Sequence, residues 1–165
     1  MDEVAERLSK TKPPSASNTA ILHNDFKLDN CQFDPTDPDH VKSVFDWDMA
    51  TLGDPLVDLG ILLNYWPDPG DADLADGPSL SPGLDTLGLP SRHEIWERYR
   101  ANVSFACDTI TWYQAFAAWR NGVALQQLWA RWARNETADA RNAAKGAKVA
   151  SRARRAAALL DSRPI

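Results

Sequence analysis

Residues 21–48, ILHNDFKLDNCQFDPTDPDHVKSVFDWD, restrict the fold more than any other part of the chain. Two short runs, CQFD and VKSVFD, flank PTDPDH, whose proline, aspartate and threonine content is that of a turn. The pattern predicts a β-hairpin over residues 31–46. A hairpin brings its two ends together, so the polar loop before Cys31 must lie beside the acidic residues after Phe45. That loop, HNDFKLDN, places a histidine, two aspartates, a lysine and two carboxamides within eight positions, directly behind the apolar pair Ile21-Leu22.

The rest of the chain reads as helical. Val4, Ala5 and Leu8 fall at helical spacing before KPPSAS breaks the pattern. PLVDLGILLNYW is apolar at Leu56, Leu59, Leu62, Leu63 and Trp66, the stripe of a buried helix that opens at Pro55, where proline is tolerated. Residues 67–90 form a long Pro/Gly/Asp-rich loop. Ser91 and Glu94 make a capping box for a helix carrying Ile95, Trp96, Tyr99 and Val103 on one face. A core helix is predicted from about Thr111 to Arg134. Thr137 is the expected cap of a last, Ala-rich helix reaching Leu160, with Arg141, Lys145, Lys148, Arg152 and Arg155 on a solvated face. The tryptophans, Trp112, Trp119 and Trp129 among them, are expected in the core.

With 165 residues, 44% of them hydrophobic, one sizeable domain is expected over residues 1–165. The loop and hairpin span 21–48, and a helical, substrate-side region spans 55–165. A net charge of −5 argues against a general nucleic-acid binder. Cys31 and Cys107 make no metal-ligand pattern and read as reduced thiols. No apolar run is long enough for a membrane span, and MDEVAERLSK has no signal-peptide core, so the expectation is cytoplasmic.

The arrangement H-x-D-x-x-x-x-N before a hairpin, with an aspartate after its second strand, suits phosphoryl transfer from a magnesium nucleotide. Asp25 would accept or orient the proton of a substrate hydroxyl. Asn30 and Asp46 would hold Mg2+ on the phosphate oxygens. Lys27, two residues after the base, reads either as a contact to the transferring phosphate or as a solvated lysine. For Asp68, Asp71, Asp73 and Asp76 the readings are a solvated acidic loop or a lure for a cationic substrate.

HNDFKLDN followed by VFDWDMATLGDPLVDLG resembles the catalytic core of the aminoglycoside phosphotransferase and choline kinase-like family. More distantly, it is similar to the H-R-D-L-x-x-x-N and D-F-G pair of protein kinases. LPSRHEIWERY, WYQAFAAW and ARWARNETADAR also look like that family, in particular the kinase-like domains fused to acyl-CoA dehydrogenases. The resemblance implies a mainly α (α+β) fold, the protein-kinase-like C-terminal lobe with one small β-hairpin. It also implies Asp25 as catalytic base, Asn30 and Asp46 as magnesium ligands, and His23 as support of the loop. Asp48, where protein kinases have glycine, would add to the metal site; Asp54 and Asp58 would brace the loop or cap a helix.

Against that pattern, 22 residues precede His23, with no Gly-rich loop and no strand lysine among them. The expectation is therefore a truncated catalytic lobe without its N-terminal lobe. Its implied chemistry is ATP- or GTP-dependent phosphorylation of a small-molecule hydroxyl, with self-association or a partner that supplies the missing lobe. The competing reading is a non-catalytic remnant, a pseudokinase-like binding module.

Overall fold

The computed structural model describes residues 1–14, 18–68, 87–105 and 110–162. In chain order the elements are α1 (Asp2–Lys10), β1 (Ala20–Leu22), β2 (Cys31–Asp34), β3 (Asp37–Val44) and β4 (Thr51–Gly53). These are followed by α2 (Leu56–Tyr65), α3 (Arg92–Ala101), α4 (Ile110–Ala133) and α5 (Lys145–Asp161). The architecture is mainly α, as expected, and the chain divides into two compact units. One is Met1–Pro14 with Asp108–Ile165, the other Ser15–Cys107. Cys107 and the loop aspartates Asp71, Asp73 and Asp76 lie outside the described residues.

In the helical unit, Val4 and Leu8 of α1 pack with Ala115 and Ala118 of α4 and Ala156 of α5, and Trp112, Phe116 and Trp119 close around them. A nine-residue helix has little stability of its own, so its order comes from this packing. Trp119 Nε1 donates to Met1 O at 3.3 Å and Trp112 Nε1 to Leu8 O at 3.1 Å. The two bonds are seven residues apart on both helices, in opposite directions, so α1 runs antiparallel to α4. Most of the fully buried α4 positions are small, Ala115, Ala117, Ala118 and Gly122 among them, because the helices approach closely. At Gly122 a Cβ would stand 3.1 Å from the Cβ of Arg152, and at Gly146 one would stand 2.7 Å from the Trp129 indole. Gly146→Ala is expected to destabilise the helical unit by about 1–3 kcal/mol, read as a lower urea midpoint, because the indole must shift out of its place.

Two expectations for the C-terminal region are corrected. Thr137 does not cap α5: its Oγ1 accepts from Asp139 N, and Asp139 Oδ1 accepts from Arg141 N. These short polar side chains hold the backbone in consecutive turns, and α5 starts only at Lys145. Arg152 is not on a solvated face. It is 9% exposed, and its Nε donates to Asn121 Oδ1 at 3.1 Å.

In the other unit the hairpin forms between β2 and β3, with Cys31 opposite Val44 and Gln32 opposite Ser43. Its turn is tighter than PTDPDH suggests, and β3 begins at Asp37. Asp34 Oδ1 accepts from both the hydroxyl and the amide of Thr36. Those bonds, with Lys42 at 3.0 Å, hold the Asp34 carboxyl well below its usual value, at about 2. A second antiparallel ribbon, absent from the sequence reading, pairs β1 with β4, setting Ile21 opposite Leu52. Helix α2 is buried at Leu56, Leu59, Gly60, Ile61, Leu63 and Asn64. Helix α3 opens on the expected capping box, with Ser91 accepting from Glu94 N and the Glu94 side chain returning to Ser91 N.

Candidate active site

The loop between β1 and β2 is held from below by Asp58, in the first turn of α2. Its two carboxylate oxygens accept from His23 N at 2.6 Å and from Asn24 N at 2.8 Å. Asn24 carries φ +65°, a conformation uncommon for side chains other than glycine and best tolerated by asparagine and aspartate. Its amide also donates to Met49 O at 2.9 Å, which ties the loop to the segment after the hairpin.

His23 is 2% exposed and bonded on both ring nitrogens. Nε2 lies 2.6 Å from Phe45 O, and Nδ1 accepts from Asp25 N at 3.2 Å. The tautomer with its proton on Nε2 satisfies both contacts. The ring thus links the residue two after it to the residue just before Asp46, and the Trp47 indole lies over it at 4.7 Å between centroids.

Asn30, 7% exposed, is the second junction. Its Nδ2 donates to Asp25 O at 2.9 Å, and its own carbonyl accepts from Phe45 N at 2.8 Å. One residue therefore pins the backbone of Asp25 and the end of the hairpin. Asp46 follows at φ +65°, exposed, and opens the short turn Trp47–Met49 that carries Asp48, also exposed.

Asp25 receives three donors. Lys27 Nζ lies 2.6 Å from Oδ2, Asn30 Nδ2 lies 3.5 Å from the same oxygen, and the Tyr65 hydroxyl lies 3.4 Å from Oδ1. Burial pulls the Lys27 ammonium down, but the hydrogen bond to Asp25 and the nearby Tyr65, Asp25 and Asp29 outweigh it. The lysine ends above its ordinary value and stays cationic. Lys27 is thus neither solvated nor pointed away from the loop; its side chain is 20% exposed.

The remaining sequence-selected residues sit outside this cluster. Asp54 Oδ1 accepts from Leu56 N at 3.0 Å, at the start of α2. Asp68 Oδ2 accepts from Arg92 N at 2.9 Å, where a carboxylate meets the positive end of α3. Among the described residues no group of three or more His, Cys, Asp or Glu is placed to hold a metal ion. The set Asn30, Asp46 and Asp48 is of a different kind, two exposed carboxylates and an amide. Asn30 Nδ2 is committed to Asp25, which leaves Oδ1 as the donor atom, and three such oxygens suit a hard cation such as Mg2+.

Sequence reasoning missed Asn24 and Tyr65. Tyr65 follows Asp58 by seven residues, two turns along one face of α2, so the helical period that places Asp58 under the loop also places Tyr65 there.

A polar loop, a hairpin and a returning acidic turn, joined at His23 and Asn30, give the unit a kinase-like organisation. Residues 1–100 match the family model described as "Phosphotransferase enzyme family". The chain belongs to that family. It is similar to acyl-CoA dehydrogenase family member 11 of Gallus gallus, 32% identical over 99 residues, 60% of this chain and 13% of the relative. It is also similar to acyl-CoA dehydrogenase family member 10 of Mus musculus, 31% identical over 130 residues, 76% of this chain and 12% of the relative. Among solved structures it is similar to a candidate aminoglycoside phosphotransferase from Ralstonia eutropha JMP134, with a TM-score of 0.77 and 27% identity over 97% of this chain. The chain spans about half of that structure, 48%, and a small fraction of those curated relatives. Among the described residues no helix is long and apolar enough to cross a membrane.

Proposed function

We propose that this lobe transfers a phosphoryl group from a magnesium nucleotide, ATP or GTP, to the hydroxyl of a small molecule. The observation that supports it most is the Asn30 junction, which fixes the Asp25 backbone and the Phe45-Asp46 turn in one place. Asp25 accepts the proton of the attacking hydroxyl. Lys27, cationic and 2.6 Å from Asp25, lies within a side-chain swing of the transferring group and offsets its charge. Asn30 Oδ1, Asp46 and Asp48 hold the metal. When bound, magnesium screens the phosphate charges and keeps the group in line for attack.

A cavity of about 290 Å³, lined in part by Phe26, Trp47, Leu62 and Tyr99, supports an acceptor site bounded by α3. Ile21 and Leu52, opposite each other and each 70% exposed, support an apolar face that a nucleotide-covering lobe buries.

Calorimetric titration with ATP, with and without magnesium, tests the reading. Binding is expected to require magnesium and to weaken about tenfold or more in Asp46→Ala, through loss of a charged ligand. Affinity indifferent to both chelator and substitution would remove the metal assignment. Binding without transfer to water or to any hydroxyl compound would place the chain with the binding-module reading.

A further inference from the structure

Tyr65 has no role in the reaction proposed above, yet it touches both groups that the reaction uses. Its hydroxyl lies 3.4 Å from Asp25 Oδ1, and the Lys27 ammonium sits 5.2 Å from its ring centroid. Lys27 and Tyr65 thus grip opposite oxygens of one carboxylate while contacting each other. The hydroxyl contact is long, as hydrogen bonds to catalytic groups often are before substrate arrives. A cation over an aromatic face is held by electrostatics that strengthen as water is excluded, and both partners here are partly buried.

The chain next to Tyr65 is also tied down. The Trp66 indole donates to Pro90 O at 2.7 Å. The Arg92 guanidinium reaches Leu63 O at 2.8 Å and Trp66 O at 2.5 Å, covering the last carbonyls of α2. The backbone on both sides of Tyr65 is therefore anchored. Plain packing would not need a hydroxyl aimed at a carboxylate.

We propose that Tyr65 is a positioning residue for the phosphoryl transfer: its ring parks the Lys27 ammonium and its hydroxyl orients the Asp25 carboxylate. The assignment rests on the phosphotransferase reading for its purpose, but its geometry is testable alone. In the resting state Lys27 occupies one oxygen of the base. A bound nucleotide phosphate competes for the same ammonium, and the tyrosine keeps the carboxylate aligned when Lys27 swings away. Donor binding thereby clears the oxygen that the acceptor hydroxyl needs.

Two measurements on the whole chain test this, with Tyr65→Phe and Tyr65→Leu. The first is the NMR shift of the Lys27 ε-methylene protons, which the aromatic face moves upfield. That shift is expected in the wild type, retained in Tyr65→Phe and lost in Tyr65→Leu. Magnesium ATP is expected to remove it in the wild type. The second is magnesium-ATP turnover, with water as acceptor. Tyr65→Phe is expected to lower kcat about tenfold with the KM for ATP unchanged, because orientation of the base, not nucleotide binding, is impaired. Tyr65→Leu lowers kcat further. Lys27 shifts that are the same in the wild type and Tyr65→Leu overturn the proposal, as does wild-type kcat in Tyr65→Phe. A lost shift in Tyr65→Leu, together with no nucleotide binding by the wild type, overturns the phosphotransferase reading while the Tyr65–Lys27 contact stands.

Discussion

Asp25→Asn is expected to lower phosphoryl transfer about a thousandfold while changing magnesium-nucleotide affinity by less than about twofold. An amide of the same shape keeps its place against Asn30 and Tyr65, but it cannot take a proton from an attacking hydroxyl. In the proposed reaction the nucleotide is held elsewhere, by Asn30, Asp46 and Asp48 through the metal. The folded state loses only the Lys27 ion pair, whose side chains are 20% and 25% exposed, so destabilisation stays near about 1 kcal/mol. Steady-state transfer of a labelled γ-phosphate, alongside calorimetry of the same preparation, separates the two effects. Turnover at the wild-type level would exclude Asp25 as the base.

The second large effect falls on a residue whose carboxylate is spent on the backbone of the loop. Asp58→Ala removes the acceptor for two backbone donors, His23 N and Asn24 N, one of them on a residue 2% exposed. Each donor left unpaired costs about 1–3 kcal/mol, so a total of about 3 kcal/mol is expected as a loss in urea-unfolding free energy. Asn24 depends on the same carboxylate to keep its positive φ, and with it the direction in which Asp25 leaves the loop. Asp58→Asn is expected to recover about half of the loss, since a carboxamide has one accepting oxygen where the carboxylate has two. Equal stability of Asp58→Ala and the wild type would show that the loop stands without this support.

Much of this arrangement was legible because it is local. Pro55 and the leucine stripe announce α2, Ser91 and Glu94 announce α3, and the turn residues between two short β-prone runs announce the hairpin. The Asp25–Asn30 spacing is likewise a property of one loop. What escaped depends on distance along the chain. The β1–β4 ribbon joins two three-residue strands some thirty positions apart, too short to show an alternating pattern. Tyr65 meets Asp25 across forty residues, so only the combination of helical period and loop position marks it. Arg152 reads as solvated because it lies among other basic residues; its burial follows from the glycine facing it on α4, which no local pattern reveals. The shift of α5 from Thr137 to Lys145 is a competition between two local outcomes, side-chain-bonded turns against an early helical turn, and composition does not rank them.

The two indole bonds of α1 bear on the order in which the chain acquires structure. They span 118 and 104 residues, and the Arg7–Asp161 ion pair spans 154. Every one of them joins segments more than a hundred residues apart, whereas the loop, hairpin and α2 that carry the candidate chemistry close on themselves within 15–107. Contacts of long separation form late, because a large loop must close before they are rewarded. The loop, hairpin and α2 are thus expected to settle before α1 finds α4 and α5, so the candidate site takes shape ahead of the helical unit whose segments flank it in the sequence.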